Sequence, residues 1–369
     1  MVLTSFAFAV EKGPISDIVY FNVRMKEEIA LKDTSEGMTD IFMYGVPGPV
    51  IFGLDQATRD KLDLYTVPSG SWSLLMNNVP NEAPYTLEVA GKEVFNAFAI
   101  KEVRFAMNFL INRQFVTDEI LGGAGFPAFT MATEGQPGTY KYNLLATKFG
   151  FTAEGNETLA IEEITKAMQA AAELPANAGK LEKRADGFWY FNNEPVTIKF
   201  IIRVDDPNGR LRLGEYVSNQ LEKAGLKVEK LLWDRSKAGT TVYGGSDPKD
   251  LVWQMYTEGW GAGATRAFWE HIVAQMYAPW YGYMPGNQTE GYWNYVQDEI
   301  DEVTMKAYTG NFLTEDEYWE LALRGLELGL EEAVRIYVVN QQDFFTANAA
   351  RLVDRFAYGL GDGLNGWSI

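Results

Sequence analysis

Residues 258–269 read EGWGAGATRAFW, a carboxylate, a tryptophan wedged between glycines, a run of tiny residues and two further aromatics. Glycines cannot pack a core, and bare backbone lets another molecule approach closely. A rigid ring with a polar edge beside such backbone makes one wall of a binding cleft. Glu258, Trp260, Gly261, Gly263 and Trp269 are therefore candidate ligand contacts, with Trp260 as a stacking wall and Glu258 as an orienting group. Five of the ten tryptophans fall between residues 251 and 295, together with a series of tyrosines. A core accounts for most of these rings, because aromatic side chains bury large areas. Trp280 and Tyr281 follow Pro279 in loop-like sequence and join the candidates, as does Asn287, whose amide suits hydroxyl groups.

Catalytic chemistry is not written in the same residues. The chain has no cysteine and a single histidine, His271, which removes thiolate nucleophiles and any site needing two imidazoles. His271 beside Glu270 has no nucleophile motif near it. A glycoside hydrolase would need two carboxylates across one scissile bond, and no pair is marked among the 50 acidic residues. EGNET at 154–158 and SDPKD at 246–250 lack the spacing of a calcium loop. The expectation is a binding protein with no catalytic residue, metal or cofactor. A carbohydrate-active enzyme and a structural cell-surface module are the alternatives.

A formal charge of −18 repels phosphate backbones and anionic lipid heads, so nucleic acid is not an expected partner. The apolar run at 2–10 has no basic residue before it and reads as a strand entering the Gly13-Pro14 turn rather than as a targeting segment. No stretch reaches the length of a membrane span.

The elements that must carry the aromatic segment alternate. DIVYFNVRM (17–25) and DIFMYGV (40–46) read as strands around a short helix, and SWSLLMNN (71–78) as extended chain. KEVRFAMNFLINRQFVTDEIL (101–121) has apolar residues at helical spacing up to Gly122-Gly123; its Arg104 and Arg113 are expected in solvent or paired with Glu102 or Glu119. ETLAIEEITKAMQAAAEL (157–174) is helical, and GFWYFNN (187–193) reads as a hairpin turn. VTIKFIIRV, LRLGEYVSNQLEKAG and LKVEKLLW (196–233) form a βαβ unit with Gly225 as the helix cap. Thr314 and Glu317 stand in capping-box spacing before a helix to 333, and RIYVVNQQDFF (335–345) returns as a strand.

The order GMTDIF (37–42), SLLMNN (73–78), FNAFAIKEVRFAMNFLINRQ (95–114), QLEKAGLKVE (220–229), DLVWQMYTEGW (250–260) and YWNYVQDEIDEV (292–303) resembles the family 5 extracellular solute-binding proteins, the peptide- and oligosaccharide-binding receptors of ABC importers. The resemblance implies an α/β fold of the periplasmic-binding-protein type (type II, cluster C). One complete lobe would span 79–334, and 1–78 with 335–369 would form part of an incomplete hinge-proximal lobe. It also implies a fragment lacking the N-terminal portion of the family. The implied function is capture of an oligosaccharide or oligopeptide by lobe closure, for ABC permease subunits. The protein would be a monomer, extracellular or periplasmic, and held at the membrane through a missing terminal segment. Asn77-Asn78 resemble the end of the family's strand into the second lobe, where Asn77 either meets ligand or closes a turn. Peptide-binding relatives usually carry an Asp three residues past the Trp of this GW pair, for the peptide ammonium; here that position is Gly263. The departure favours a neutral sugar, with peptide close behind should Glu258 or another carboxylate substitute.

Overall fold

A computed structural model describes residues 18–134, 136, 138–261 and 272–352. Residues 18–26 carry no regular structure, and Ile18, Tyr20, Phe21 and Val23 are exposed. The strand expected at 17–25 is thus not formed: its alternating apolar pattern gives propensity, but a strand needs a neighbouring edge to bond to, and the segment is anchored by Arg24, which donates to Asp33 at 2.6 Å.

Helix α1 (Glu27–Ser35) leads to strand β1 (Ile41–Pro47), the short helices α2 (Gly48–Phe52) and α3 (Gln56–Arg59), and the long strand β2 (Leu62–Met76). Hairpin β3 (Thr86–Val89) and β4 (Lys92–Phe95) precedes α4 (Lys101–Leu110) and α5 (Arg113–Phe115). The helix expected over 101–121 therefore breaks. Ile111 is extended, with φ −91° and ψ 116°, and the Asn112 side chain accepts from the Phe115 N–H at 2.7 Å, capping a new turn.

Strand β5 (Gly125–Pro127), α6 (Thr139–Lys148) and α7 (Glu157–Ala172) follow. The segment 187–193 belongs to a three-stranded sheet of β6 (Leu181–Lys183), β7 (Trp189–Phe191) and β8 (Glu194–Pro195). Its second turn is Asn192-Asn193, both at positive φ, a conformation asparagine tolerates. The βαβ unit is β9 (Thr197–Arg203), α8 (Arg210–Lys223) and β10 (Lys227–Trp233), parallel as expected, and Gly225 takes φ +87° beyond the helix end. After α9 (Arg235–Thr240) and β11 (Met255–Gly261) come α10 (Ile272–Tyr277), α11 (Asp298–Tyr308), α12 (Glu315–Glu332) and β12 (Arg335–Asn348). Thr314 caps α12 by accepting from the Glu317 N–H at 3.2 Å, while Glu317 accepts from the Leu313 N–H at 2.5 Å.

The main sheet runs β1-β12-β2-β11-β9-β10, with β5 also bonded to β12. Successive residues of β2 face opposite sides, so Leu74 and Met76 join a core against α4, α7 and α8, while Leu75 joins a second core with Ile201, Tyr256 and Tyr337. A third core of Leu31, Val46, Ile51, Leu62 and Phe344 lies at the other end of the long strands. Strands β2 and β12 therefore run from one set of cores into another.

Their pairing is interrupted twice. Ser73 opposes Tyr337 but Trp72 opposes Val339, which leaves Val338 as an extra residue on β12; Gly70 opposes Gln341 but Pro68 opposes Gln342, which leaves residue 69 extra on β2. Strand β5 bonds β12 at Val339, Asn340 and Gln341, the residues between the two bulges. A bulge frees a carbonyl that needs a partner. Here the Val338 carbonyl accepts from Ala128 N–H at 3.0 Å, and the Tyr337 carbonyl accepts from Arg113 Nε at 3.0 Å.

Arg113 is therefore neither solvated nor paired with Glu119. It is fully buried, donating also to the carbonyls of Ala128 and Asn108, and burial pulls its guanidinium down to about 9. Arg104 is likewise buried, and its carboxylate is Glu332 at 3.3 Å rather than Glu102; its other hydrogens go to the Phe98, Ala99 and Glu332 carbonyls. Sequence spacing offered local partners, whereas the tertiary fold supplies carbonyls from distant chain.

Candidate functional site

Strand β11 delivers the aromatic segment. Met255 faces the first core, while Tyr256 and Trp260 face the second. Between those rings stands Glu258, only 1% exposed. A buried carboxylate is costly unless paired and fully hydrogen-bonded. Glu258 meets that demand: Arg335 of β12 donates to it from Nε at 2.6 Å and Nη2 at 3.0 Å, Ser73 of β2 donates at 2.7 Å, and the Tyr243 hydroxyl donates at 2.5 Å. Burial alone would raise the Glu258 pKa, but the Arg335 charge overrides it and holds the carboxyl below its ordinary value. Burial pushes the Tyr243 phenol well up, which keeps it a donor.

Arg335 reaches further. Its Nη1 donates to the Met276 carbonyl and its Nη2 to the Tyr283 carbonyl at 2.7 Å, which fastens the chain after α10 to the sheet. The Tyr283 ring lies edge-on to Trp260 with centroids 4.5 Å apart, and Tyr243 closes the trio at 5.4 Å from Tyr283. Trp260 is half-buried, and a Cβ placed on Gly261 would meet nothing within 4 Å. Among the described residues, open space thus lies beside a braced indole. On the other side, Gly70 is required: a Cβ there would stand 2.5 Å from the Trp260 carbonyl.

The other sequence candidates are placed variously. Asn77 is fully buried, donates to the carbonyls of Pro248 and Trp253 at 2.9 and 3.1 Å and accepts from the Val79 N–H at 3.3 Å. Trp280 and Tyr281 pack on Tyr308 in a separate small core with Ile300 and Leu328, and the Trp280 Nε1 donates to Thr304 at 2.9 Å. Asn287 lies half-buried in the loop beyond, its backbone N–H bonded to the Met284 carbonyl at 3.2 Å. Gly263, Trp269 and His271 lie outside the described residues.

Sequence reasoning missed Arg335, Tyr243, Ser73 and Tyr283. The only signal was a charged residue heading the apolar strand RIYVV, which needs a buried partner. Among the described residues no group of three or more His, Asp or Glu could hold a metal ion, and no helix is long and apolar enough to cross a membrane.

Residues 22–269 match the family of bacterial extracellular solute-binding proteins, family 5 middle region. The chain belongs to this family. No curated protein matches it. Among solved structures, the Bacillus subtilis oligopeptide-binding protein AppA with a nonapeptide superposes at TM-score 0.59 and 14% identity, over 87% of this chain and 54% of that one. NikZ from Campylobacter jejuni with Ni(L-His) gives 0.60 and 15%, over 91% and 57%. A periplasmic oligopeptide-binding protein of an ABC transporter from Thermotoga maritima, bound to mannohexaose, gives 0.62 and 17%, over 89% and 55%.

The family 5 chain therefore spans little more than half the length of these structures. The α/β fold expected from the sequence, of the type II periplasmic-binding-protein kind, is the fold they share. Their three ligands differ in kind, so the fold itself does not select one.

Proposed function

We propose that this family 5 chain is the ligand-binding part of an ABC importer's receptor and takes a neutral oligosaccharide against the Trp260 wall. The observation that carries the ligand class is the saturation of Glu258. A peptide's free ammonium needs an uncommitted carboxylate in a desolvated cleft. Position 263 offers glycine, and Glu258 is already neutralised by Arg335 and filled by Ser73 and Tyr243. A sugar asks for no charge: its C–H face stacks on an indole and its hydroxyls take backbone and amide partners. The mannohexaose-bound neighbour supports compatibility of the fold with such a ligand.

The mechanism follows from the two long strands. We divide the described residues into one unit within 18–78 and 335–352 and another within 79–334, with the β2–β12 ribbon of the first reaching into the cores of the second. Its bulges at 338 and 69 flank the point where β11 ends at Trp260 and Gly261. Rotation about a ribbon interrupted there brings contacts from the first unit onto a ligand resting on Trp260, and those contacts favour the closed population. A membrane permease reads closure, and the receptor itself performs no catalysis.

Calorimetric titration of the chain with mannan-, cellulose- and chitin-type oligosaccharides and with free oligopeptides tests the reading. Saturable binding of a neutral oligosaccharide, weakened in Trp260→Ala, is expected. Binding confined to peptides with a free N-terminus would overturn the ligand class.

A further inference from the structure

A cavity of about 460 Å³ opens between α4, α7 and the ends of α6 and α12, lined by residues that take no part in the Trp260 site. Its floor is aromatic. Phe105 sits 5.9 Å from both Phe109 and Phe149, centroid to centroid, at steep interplanar angles, and all three rings are half-buried. Its rim is acidic: among the described residues Glu102 and Glu331 form no ion pair, and Glu163 is matched by Lys166 at 3.7 Å, whose side chain is 78% exposed. The one basic lining residue, Lys101, is paired with Glu332 at 3.3 Å, outside the cavity.

We propose that this cavity is a second binding site, for a small organic cation with an apolar or aromatic body. A cation is attracted to the faces of aromatic rings and to the carboxylates beside them, and its apolar body removes phenyl surface from water. An anion meets three carboxylates, while Lys101 and Lys166 are already paired with Glu332 and Glu163. A neutral apolar molecule gains the floor but not the rim. The site is independent of the transport reading, because among the described residues no hydrogen bond, ion pair or ring contact joins its lining to Trp260, Glu258 or Arg335.

The probe is benzyltrimethylammonium, compared with benzyl alcohol and benzoate by calorimetric titration and ligand-observed NMR on the whole chain. The cation should bind saturably, more tightly than the alcohol, and benzoate should not bind. The double variant Glu102→Gln/Glu331→Gln, whose side chains lie at the rim where folding does not depend on them, should lower the cation's affinity about tenfold while leaving the unfolding midpoint near that of the parent. Trp260→Ala should leave it unchanged. Equal affinities for cation and alcohol, absence of cation binding, or full affinity in the double variant would overturn the proposal. Loss of cation binding in Trp260→Ala would assign the cation to the other site and overturn it equally.

Discussion

Arg335 and Glu258 form a two-pronged ion pair at 2.6 and 3.0 Å between β12 and β11, across the intervening strand β2, with both side chains essentially removed from solvent. Removing one partner leaves the other as an uncompensated buried charge. Arg335→Met should cost about 3–5 kcal/mol of stability, whereas Arg335→Met with Glu258→Leu should recover a large part of that loss. Urea unfolding of the two single variants and the double variant measures the difference, and an additive double variant would contradict this account.

The same pair sets an acid response. The folded-state pKa of Glu258 lies below its ordinary 4.5: burial pushes it up, and the Arg335 charge and hydrogen bonds bring it down further than that. A depressed carboxylate contributes stability that is fully present above the unfolded pKa and is lost as pH falls through the folded one. Stability should therefore fall on acidification below about 4.5, and Glu258→Gln should make that fall shallower. Unfolding midpoints from pH 6 down to pH 3, roughly the window set by carboxyl titration, give the comparison.

Trp260 is braced but half-exposed, so its truncation should separate two quantities. Trp260→Ala should weaken oligosaccharide binding by about 2 kcal/mol or more, as a hot-spot ring does. It should cost less than the roughly 3–5 kcal/mol of stability expected for a buried tryptophan. Affinity and unfolding midpoint measured on one preparation decide between a wall and a core residue.

Gly263→Asp introduces a carboxylate three residues past Trp260, the position at which the family resemblance implies a peptide anchor. It should leave a neutral sugar's affinity unchanged or lower it. A marked gain in affinity for free peptides would mark a peptide site that had lost its anchor.

Gly70→Ala tests the strand junction. The added methyl would stand 2.5 Å from the Trp260 carbonyl, so β2 and β11 must separate or shift. A cost of about 1–3 kcal/mol is expected from such overpacking, with accelerated amide exchange along Gly259–Gly261 as the local signature.

Where a pattern is local, it was legible. The βαβ unit from 196 to 233 and the Thr314 cap depend on periodicity and on residues three apart, and the structure places them as expected. The strand expected at 17–25 and the unbroken helix over 101–121 failed because each depends on distant chain: a missing edge in the first case, and Arg113's carbonyl partners on β12 and beside β5 in the second. The candidate site divides the same way. Trp260 and its glycines announce themselves by composition, but Arg335 lies 77 positions from Glu258 and Ser73 lies 185, so no window of sequence joins them. Glu258 was legible as a chemical group and not as a spent one.

The two bulges of the β2–β12 ribbon have opposite sense, one extra residue on each strand, so Tyr337 to Asp343 and Ser73 to Val67 are stretches of equal length. Pairing leaves the interrupted stretch in the phase in which it entered. Deleting Val338 alone, or residue 69 alone, closes one bulge and leaves the other. The flanking pairs keep their partners, Tyr337 with Ser73 and Val339 with Trp72 or Gln341 with Gly70 and Gln342 with Pro68, so register is kept and only the added bend and twist of that bulge is lost. Each deletion should therefore keep the pairing that leads to the third core of Leu62 and Phe344 while changing the angle at which the ribbon reaches it.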